Sequence, residues 1–266
     1  MSEYVIDTSV AHPARRYNYW LGGKDNYAAD RESGDKAKKA FPGIVITVRK
    51  NRAFLRSAVT FAAAELGIRQ FLDIGTGLPT ADNTHEVAQR VHPDARVVYV
   101  DNDPLVLVYA RALLTSGPEG RTEYIHADLR DPQGILAHDL LRDTLDLSQP
   151  VALGLVAVLH FVPGQEAHTV VKSLLEPLAP GSCLIVSHGC LDHIDPGQRA
   201  ALDESKSVDD VTSRSRDEIA GFFTGTDLVD PGLTLISRWR PEPDADIPAD
   251  DQVAGYGGVG IKRASS

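Results

Sequence analysis

Cysteine is nearly absent: Cys183 and Cys190 are the only two in 266 residues, too few for a disulfide framework and not at a metal-ligating spacing. Long hydrophobic runs are missing as well. No apolar stretch approaches the roughly 20 residues that span a bilayer, and the N-terminal MSEYVIDTSVAHPARR lacks the apolar core of a signal peptide. Basic charge is scarce, with 27 Lys and Arg against 37 Asp and Glu and a formal net charge of −10. General nucleic-acid and membrane-surface binders need a basic face, so neither nucleic acid nor a membrane is an expected partner. Neither a phosphate-cradling G-x-x-x-x-G-K-[ST] loop nor a zinc-type H-E-x-x-H pair occurs. His188 and His193 with Asp192 and Asp195 form the only local cluster of ligand-type side chains, and it reads as a loop end with turn-forming acids, so no metal is expected. What remains is a foldable composition, 42% hydrophobic and 24% charged, expected to be soluble and cytoplasmic.

The residues that are present are unevenly placed. Residues 1–66 hold 11 Lys and Arg against 7 Asp and Glu, whereas 192–251 hold 15 acids against 6 bases. Aromatics make up only 6% of the chain, yet Tyr17, Tyr19, Trp20 and Tyr27 share one short block. Periodicity predicts helices over 14–21, 30–40 and 48–66, the last with Val48, Phe54, Leu55, Ala58, Val59, Ala62 and Leu66 near one face and Gly67 as its stop. From 68 to 190, short apolar runs at 70–74, 96–100, 123–126, 150–158 and 182–187 alternate with helical patterns at 82–91, 104–114, 132–138 and 165–178. Apolar runs bounded by Gly, Pro and Asp suit strands buried on both faces, so this stretch reads as a doubly wound α/β sheet with right-handed crossovers. Beyond 190 the chain is at first loop-rich and acidic; Ser215 and Glu218 then form an S-x-x-E capping box opening a helix. The runs 228–239, interrupted by Pro231-Gly232, and 256–261 are expected to pair antiparallel at a sheet edge. The chain thus divides into an N-terminal helical cap, 1–66, and a main domain, 67–266, forming one structural unit.

Chemistry concentrates at three predicted strand ends. Phe71-Leu-Asp-Ile-Gly-Thr-Gly-Leu-Pro-Thr80 is an apolar strand ending in Asp73, followed by a Gly-x-Gly turn that lets a ligand approach the main chain without meeting a Cβ. In an open α/β sheet that turn lies at the carboxyl end of the first strand, where ligands bind. Val97-Val-Tyr-Val-Asp-Asn-Asp-Pro104 places Asp101 at a second strand end, 28 residues after Asp73. An ionised carboxylate there can accept hydrogen bonds from both hydroxyls of a ribose. His126-Ala-Asp-Leu-Arg-Asp131 repeats the arrangement with Asp128. Without a ligand, the same residues describe only Gly-rich and acidic turns.

Together these residues resemble the class I S-adenosylmethionine-dependent methyltransferases. The resemblance narrows with Pro13-Ala-Arg-Arg-Tyr-Asn-Tyr-Trp-Leu-Gly-Gly-Lys-Asp-Asn-Tyr27, Asn51-Arg-Ala-Phe-Leu55, Ala157-Val-Leu-His-Phe-Val-Pro163 and Tyr256-Gly-Gly-Val-Gly260, which are similar to a bacterial family of S-adenosyl methyltransferases of unassigned substrate. It implies a Rossmann-like sheet in the order 3-2-1-4-5-7-6 with strand 7 antiparallel. It implies S-adenosyl-L-methionine as cofactor, with Asp73, Gly75, Thr76 and Gly77 at its methionine and ribose backbone. Asp101 would then hold the ribose with Asn102 beside it, and Asp128 with Leu129 would meet the adenine. Pro79 stands where many members have a third glycine, which removes one main-chain donor from the turn.

His160, after the fourth strand, is a candidate general base near the transferred methyl, or else a hydrogen-bonded strand-end residue. The N-terminal block reads as a lid, with Tyr19 over the ligand and Arg16 meeting the methionine carboxylate, or else as a docked helix that Gly22-Gly23 ends. The Asn/Asp-Pro-Pro-Tyr sequence of amino-methylating nucleic-acid enzymes is absent, and a small-molecule methyl acceptor fits the acidic body. A catalytically silent S-adenosylmethionine- or S-adenosylhomocysteine-binding protein remains an alternative. An NAD(P)-dependent oxidoreductase is a weaker one, because the third glycine of G-x-G-x-x-G and any Tyr-x-x-x-Lys pair are missing.

Overall fold

Three helices precede the first strand in the computed structural model, which describes residues 7–113, 116–208 and 210–264. They are α1 (Pro13–Trp20), α2 (Ala28–Ala40) and α3 (Ile44–Ala64). Pro13 opens α1 at a position whose N–H has no helical partner, and the helix stops ahead of Gly22 at φ +84°. α3 buries Val48, Phe54, Leu55, Ala58, Val59 and Ala62 of the predicted stripe and ends at Ala64; it begins four residues before Val48, where Ile44 and Ile46 are partly buried against apolar neighbours. There follow β1 (Gln70–Ile74), α4 (Thr84–Val91), β2 (Arg96–Asp101), α5 (Pro104–Leu113), β3 (Arg121–His126), α6 (Pro132–Ala137) and α7 (Asp139–Thr144). The chain continues through β4 (Ala152–Val156), α8 (Glu166–Leu175), β5 (Cys183–Gly189), α9 (Pro196–Ser205), α10 (Arg216–Ala220), β6 (Thr226–Leu228), β7 (Thr234–Leu235) and β8 (Gly255–Lys262). Leu114, the last residue of one expected helix, lies outside the described residues.

The strands form one sheet in the order β3-β2-β1-β4-β5-β8-β6, with β7 also paired to β8. β1 to β5 are parallel, and β8 runs antiparallel to β5 from Cys183↔Ile261 to Gly189↔Gly255. This is the expected class I order, with β8 in the place of strand 7. Successive residues of each central strand enter opposite layers: Leu72, Ile74, Val98 and Val100 pack under α6, α7 and α8, while Phe71, Val97 and Tyr99 pack against α3 and α4. Both layers are apolar, so the strands read as unbroken apolar runs. In the second layer Trp239 lies edge-on to Phe54 at 5.5 Å and to Phe61 at 5.9 Å, contacts that add about 0.5–1.5 kcal/mol each to simple burial.

The runs 228–239 and 256–261 pair antiparallel as expected: Pro231 and Gly232, the latter at φ +80°, turn the chain between β6 and β7, and both strands pair with β8. The stretch after 190 needs correction. A helix, α9, stands in the stretch expected to be loop, with Pro196 at its first position and Asp195 accepting hydrogen bonds from Gly197 N and Gln198 N. A further helix, α7, follows α6, with the His138 ring nitrogen accepting from Leu140 N. The Ser215–Glu218 capping box forms as read. The glycines after Tyr256 serve packing, since a Cβ on Gly257 would lie 2.9 Å from the Phe54 ring of α3. Among the described residues no helix is long and apolar enough to cross a membrane.

Candidate functional site

The carboxyl ends of β1 to β5 open into a cavity of about 880 Å³, roofed by α1 and walled by α3 and the segment after α9. Its floor is the glycine turn. Gly75 takes φ +77° and Gly77 φ +66°; a Cβ at 75 would lie 2.3 Å from Val158 Cγ2, whereas one at 77 would meet only open space. Gly75 N donates to Val100 O at 2.8 Å, tying the turn to β2. Gly77 N donates to Asp101 Oδ2 at 2.8 Å, and Asp103 N donates to Asp101 Oδ1 at 2.9 Å. The Asp101 carboxylate is thus oriented by main-chain donors, while burial raises its pKa. Asp73 is buried beneath the turn and accepts from Thr84 Oγ1 at 2.5 Å. Burial pushes its pKa up to about 6, against the Thr84 hydrogen bond and the Arg52 charge.

Asp73, Gly75, Thr76, Gly77, Asp101, Asn102, Asp128, Leu129, Arg16 and His160 all line this cavity. Tyr19 does not: its hydroxyl donates to Asp35 Oδ1 at 2.7 Å on the far side of α1. Tyr17 and Trp20 line the cavity in its place, because residues three apart share a helix face and Tyr19 falls between them. Arg16 reaches the wall already paired. Its Nη2 holds the two oxygens of Asp210 at 2.7 and 2.6 Å, and its Nη1 donates to Ser207 O at 3.0 Å. Asp128 is gripped by Arg130, which lowers its pKa. Asn102 presents its carbonyl to His126 Nε2 at 3.0 Å. Pro79 is not among the lining residues.

Beyond the turn the cavity continues to the ends of β4 and β5. His188 Nδ1 donates to Gly189 O at 2.7 Å, leaving Nε2 to accept from Arg214 Nη1 at 2.8 Å. Burial pushes the His188 pKa down to about 4. The His160 ring stands edge-on to His188 at 5.5 Å, with its Nδ1 buried and unpartnered. Burial, then the neighbouring His188 and Arg214, drive His160 well below the ordinary imidazole value, so both rings are neutral at pH 7. A chain of hydrogen bonds ties the roof to this end: Asn51 Nδ2 donates to Tyr17 Oη (2.9 Å), Ser187 Oγ to Asn51 Oδ1 (2.6 Å), and Ala157 N to Ser187 Oγ (3.0 Å). Ala157 is held at φ +54°, a strained conformation for a residue with a Cβ. The cluster around His193 disperses into separate roles. His193 Nε2 donates to Val253 O, Asp192 accepts from Arg216 N, and Asp195 caps α9.

Several residues here escaped the sequence reading. Asn51 and Arg52 stood in a noted block without a role, and Ser187 and Arg214 carried no local signal. Asp30 is the clearest case. It is fully buried, accepts from His12 N and Tyr27 N at 2.8 Å each, and pairs with Arg15 at 3.0 Å. One carboxylate therefore fixes α1 against α2.

A family model described as S-adenosyl methyltransferase matches residues 1–263. The chain belongs to the S-adenosyl methyltransferase family. Its similarity to solved structures runs the full length. It is 46% identical to a DUF574 family protein from Streptomyces avermitilis, over 97% of this chain and 100% of that one, with a TM-score of 0.93. It is 41% identical to a candidate methyltransferase from Thermobifida fusca, over 97% of each chain, with a TM-score of 0.89. An O-methyltransferase family protein from Burkholderia thailandensis, 17% identical over 79% of this chain and 56% of that one, shares the fold at a TM-score of 0.54. No curated protein matches the chain. Membership makes the protein an S-adenosylmethionine-dependent methyltransferase and sets the nicotinamide reading aside. The site suits such a ligand: a glycine cradle that opens to the cavity at residue 77 adjoins an aspartate already oriented by main-chain donors.

Proposed function

We propose that this methyltransferase acts on a small-molecule acceptor enclosed beneath α1, at the His160–His188 end of the same cavity that receives S-adenosylmethionine. The observation that carries this reading is the continuity of one cavity, about 880 Å³, from the glycine turn to the two histidines. That volume lies in the upper part of the ~300–1,000 Å³ range of ligand pockets. A polyanionic acceptor is disfavoured, since two of the three arginines on the lining, Arg16 and Arg130, are already paired with Asp210 and Asp128.

In this reading Asp101 accepts the ribose hydroxyls, Asp128 and Leu129 border the adenine, and the Asp73–Gly77 turn supports the remainder of the cofactor. The bound cofactor supplies a methyl group already made electrophilic by its sulfonium. The protein's task is proximity, alignment and exclusion of water. Residues 1–66 act as the lid, with α1 contributing Tyr17 and Trp20 to the roof. Neutral His160 is the candidate proton acceptor, because an imidazole that is not already protonated can take a proton from the acceptor. The test is calorimetry with S-adenosylmethionine, followed by transfer of a radiolabelled methyl to a panel of small alcohols, phenols, amines and thiols. Binding and transfer to one class are expected; failure to bind the cofactor, or transfer only to nucleic acid or protein, would overturn the reading.

A further inference from the structure

Three arginines line the cavity, and they differ in one respect. Arg16 is paired with Asp210, and Arg130 with Asp128. Arg52 has no carboxylate partner among the described residues. Its Nη2 donates only to the carbonyls of Ala81 at 3.1 Å and Asp82 at 2.9 Å. The nearby Asp82 carboxylate does not compensate it, being taken by Arg56 at 3.2 Å and Arg90 at 2.8 Å. Asp82 takes φ +59°, so a strained backbone presents its carbonyl to Arg52 while its side chain serves two other arginines. The result is a cation on the cavity wall, held by the loop that follows the glycine turn and without an ion-pair partner among the described residues.

Its place along the cleft indicates what it can receive. Asp101 feels the charge of His12, whereas Asp73, beneath the turn, feels that of Arg52. A ligand with its nucleoside over β2 and β3 must run its other end across Gly75–Gly77 toward α3, where Arg52 stands. We propose that Arg52 binds the carboxylate of the amino-acid tail of the adenosyl ligand, a role the sequence reading had given to Arg16. This rests on the reading that the cavity holds S-adenosylmethionine. A planar guanidinium fixed through one nitrogen keeps its remaining N–H groups available for paired hydrogen bonds to a carboxylate, at little ordering cost.

The experiment compares two ligands by calorimetry. S-adenosylhomocysteine carries the tail; 5′-methylthioadenosine shares its adenosine and thioether but has no carboxylate. Wild type is expected to favour S-adenosylhomocysteine, and Arg52→Met should weaken that ligand by about 10- to 150-fold, the worth of a charge-assisted hydrogen bond. Binding of 5′-methylthioadenosine should be essentially unchanged, and Arg52→Lys should restore part of the loss. Equal weakening of both ligands by Arg52→Met would mean that Arg52 only holds the loop, and no weakening of either would mean that the carboxylate lies elsewhere; each overturns the proposal. A wild-type protein that binds neither ligand would overturn the cofactor reading itself, a separate and recognisable failure.

Discussion

Asp101→Asn tests the cofactor cradle with almost no change of shape. The native carboxylate uses separate oxygens for its two main-chain donors, Oδ2 for Gly77 N and Oδ1 for Asp103 N. An amide has only one oxygen, so its NH₂ must face one of those N–H groups and cannot accept from a ribose hydroxyl on that side. A charge-assisted hydrogen bond contributes about 1.5–3 kcal/mol, so affinity for S-adenosylhomocysteine should fall by about 10- to 150-fold. Affinity for 5′-methylthioadenosine should fall by a similar factor, because both ligands carry the ribose. This is the opposite signature to that of Arg52→Met. Global stability should change little, since the lost bonds are offset by removal of a charge that burial already disfavours. The assay is calorimetry on protein whose fold is verified by urea denaturation. Unchanged affinity for 5′-methylthioadenosine in a folded variant would refute the reasoning, because the ribose would then be held by other groups.

The remaining predictions concern pH and the roof. Burial raises the Asp73 pKa from 3.8 to about 6, so its favourable contribution is full below about pH 4 and is lost as pH rises through about 6, a difference of order 3 kcal/mol. Asp73→Asn should therefore flatten the fall in urea stability over that window in the ligand-free protein while weakening cofactor binding; an unaltered pH profile would contradict this. Asp30→Ala strands the Arg15 guanidinium, 5% exposed in the native structure, at a cost of about 3–5 kcal/mol for a broken buried pair. Hydrogen exchange should then accelerate in α1 and α2 first, and protection equal to wild type in both helices would show that Asp30 does not hold the roof.

The agreement between reading and structure is greatest where the physical cause is local. β1 appears at Gln70–Ile74 as read, because Phe71, Leu72 and Ile74 supply apolar side chains to both covered faces of the sheet. The Ser215 cap forms because its partner is Glu218, three residues away. Asp73, Asp101 and Asp128 converge on one cavity because parallel strands all present their carboxyl ends on the same side of the sheet. The misplacements share the opposite character. Whether α1 turns Tyr17 or Tyr19 inward depends on what the helix packs against, since Tyr17, Tyr19 and Trp20 place aromatic rings on several sides of it.

Sequence by itself thus determined the sheet, the glycine turn and the three strand-end acids, all consequences of periodicity and short-range geometry. Only the tertiary structure decided which charges cancel. Arg16 meets Asp210 at a separation of 194 residues, and Ser187 meets Asn51 at 136. Arg16 and Arg52 look equivalent in a list of residues, but one arrives at the cavity already paired and the other does not. The physical reason is that an ion pair depends on distance in space, and folding sets that distance without regard to chain order.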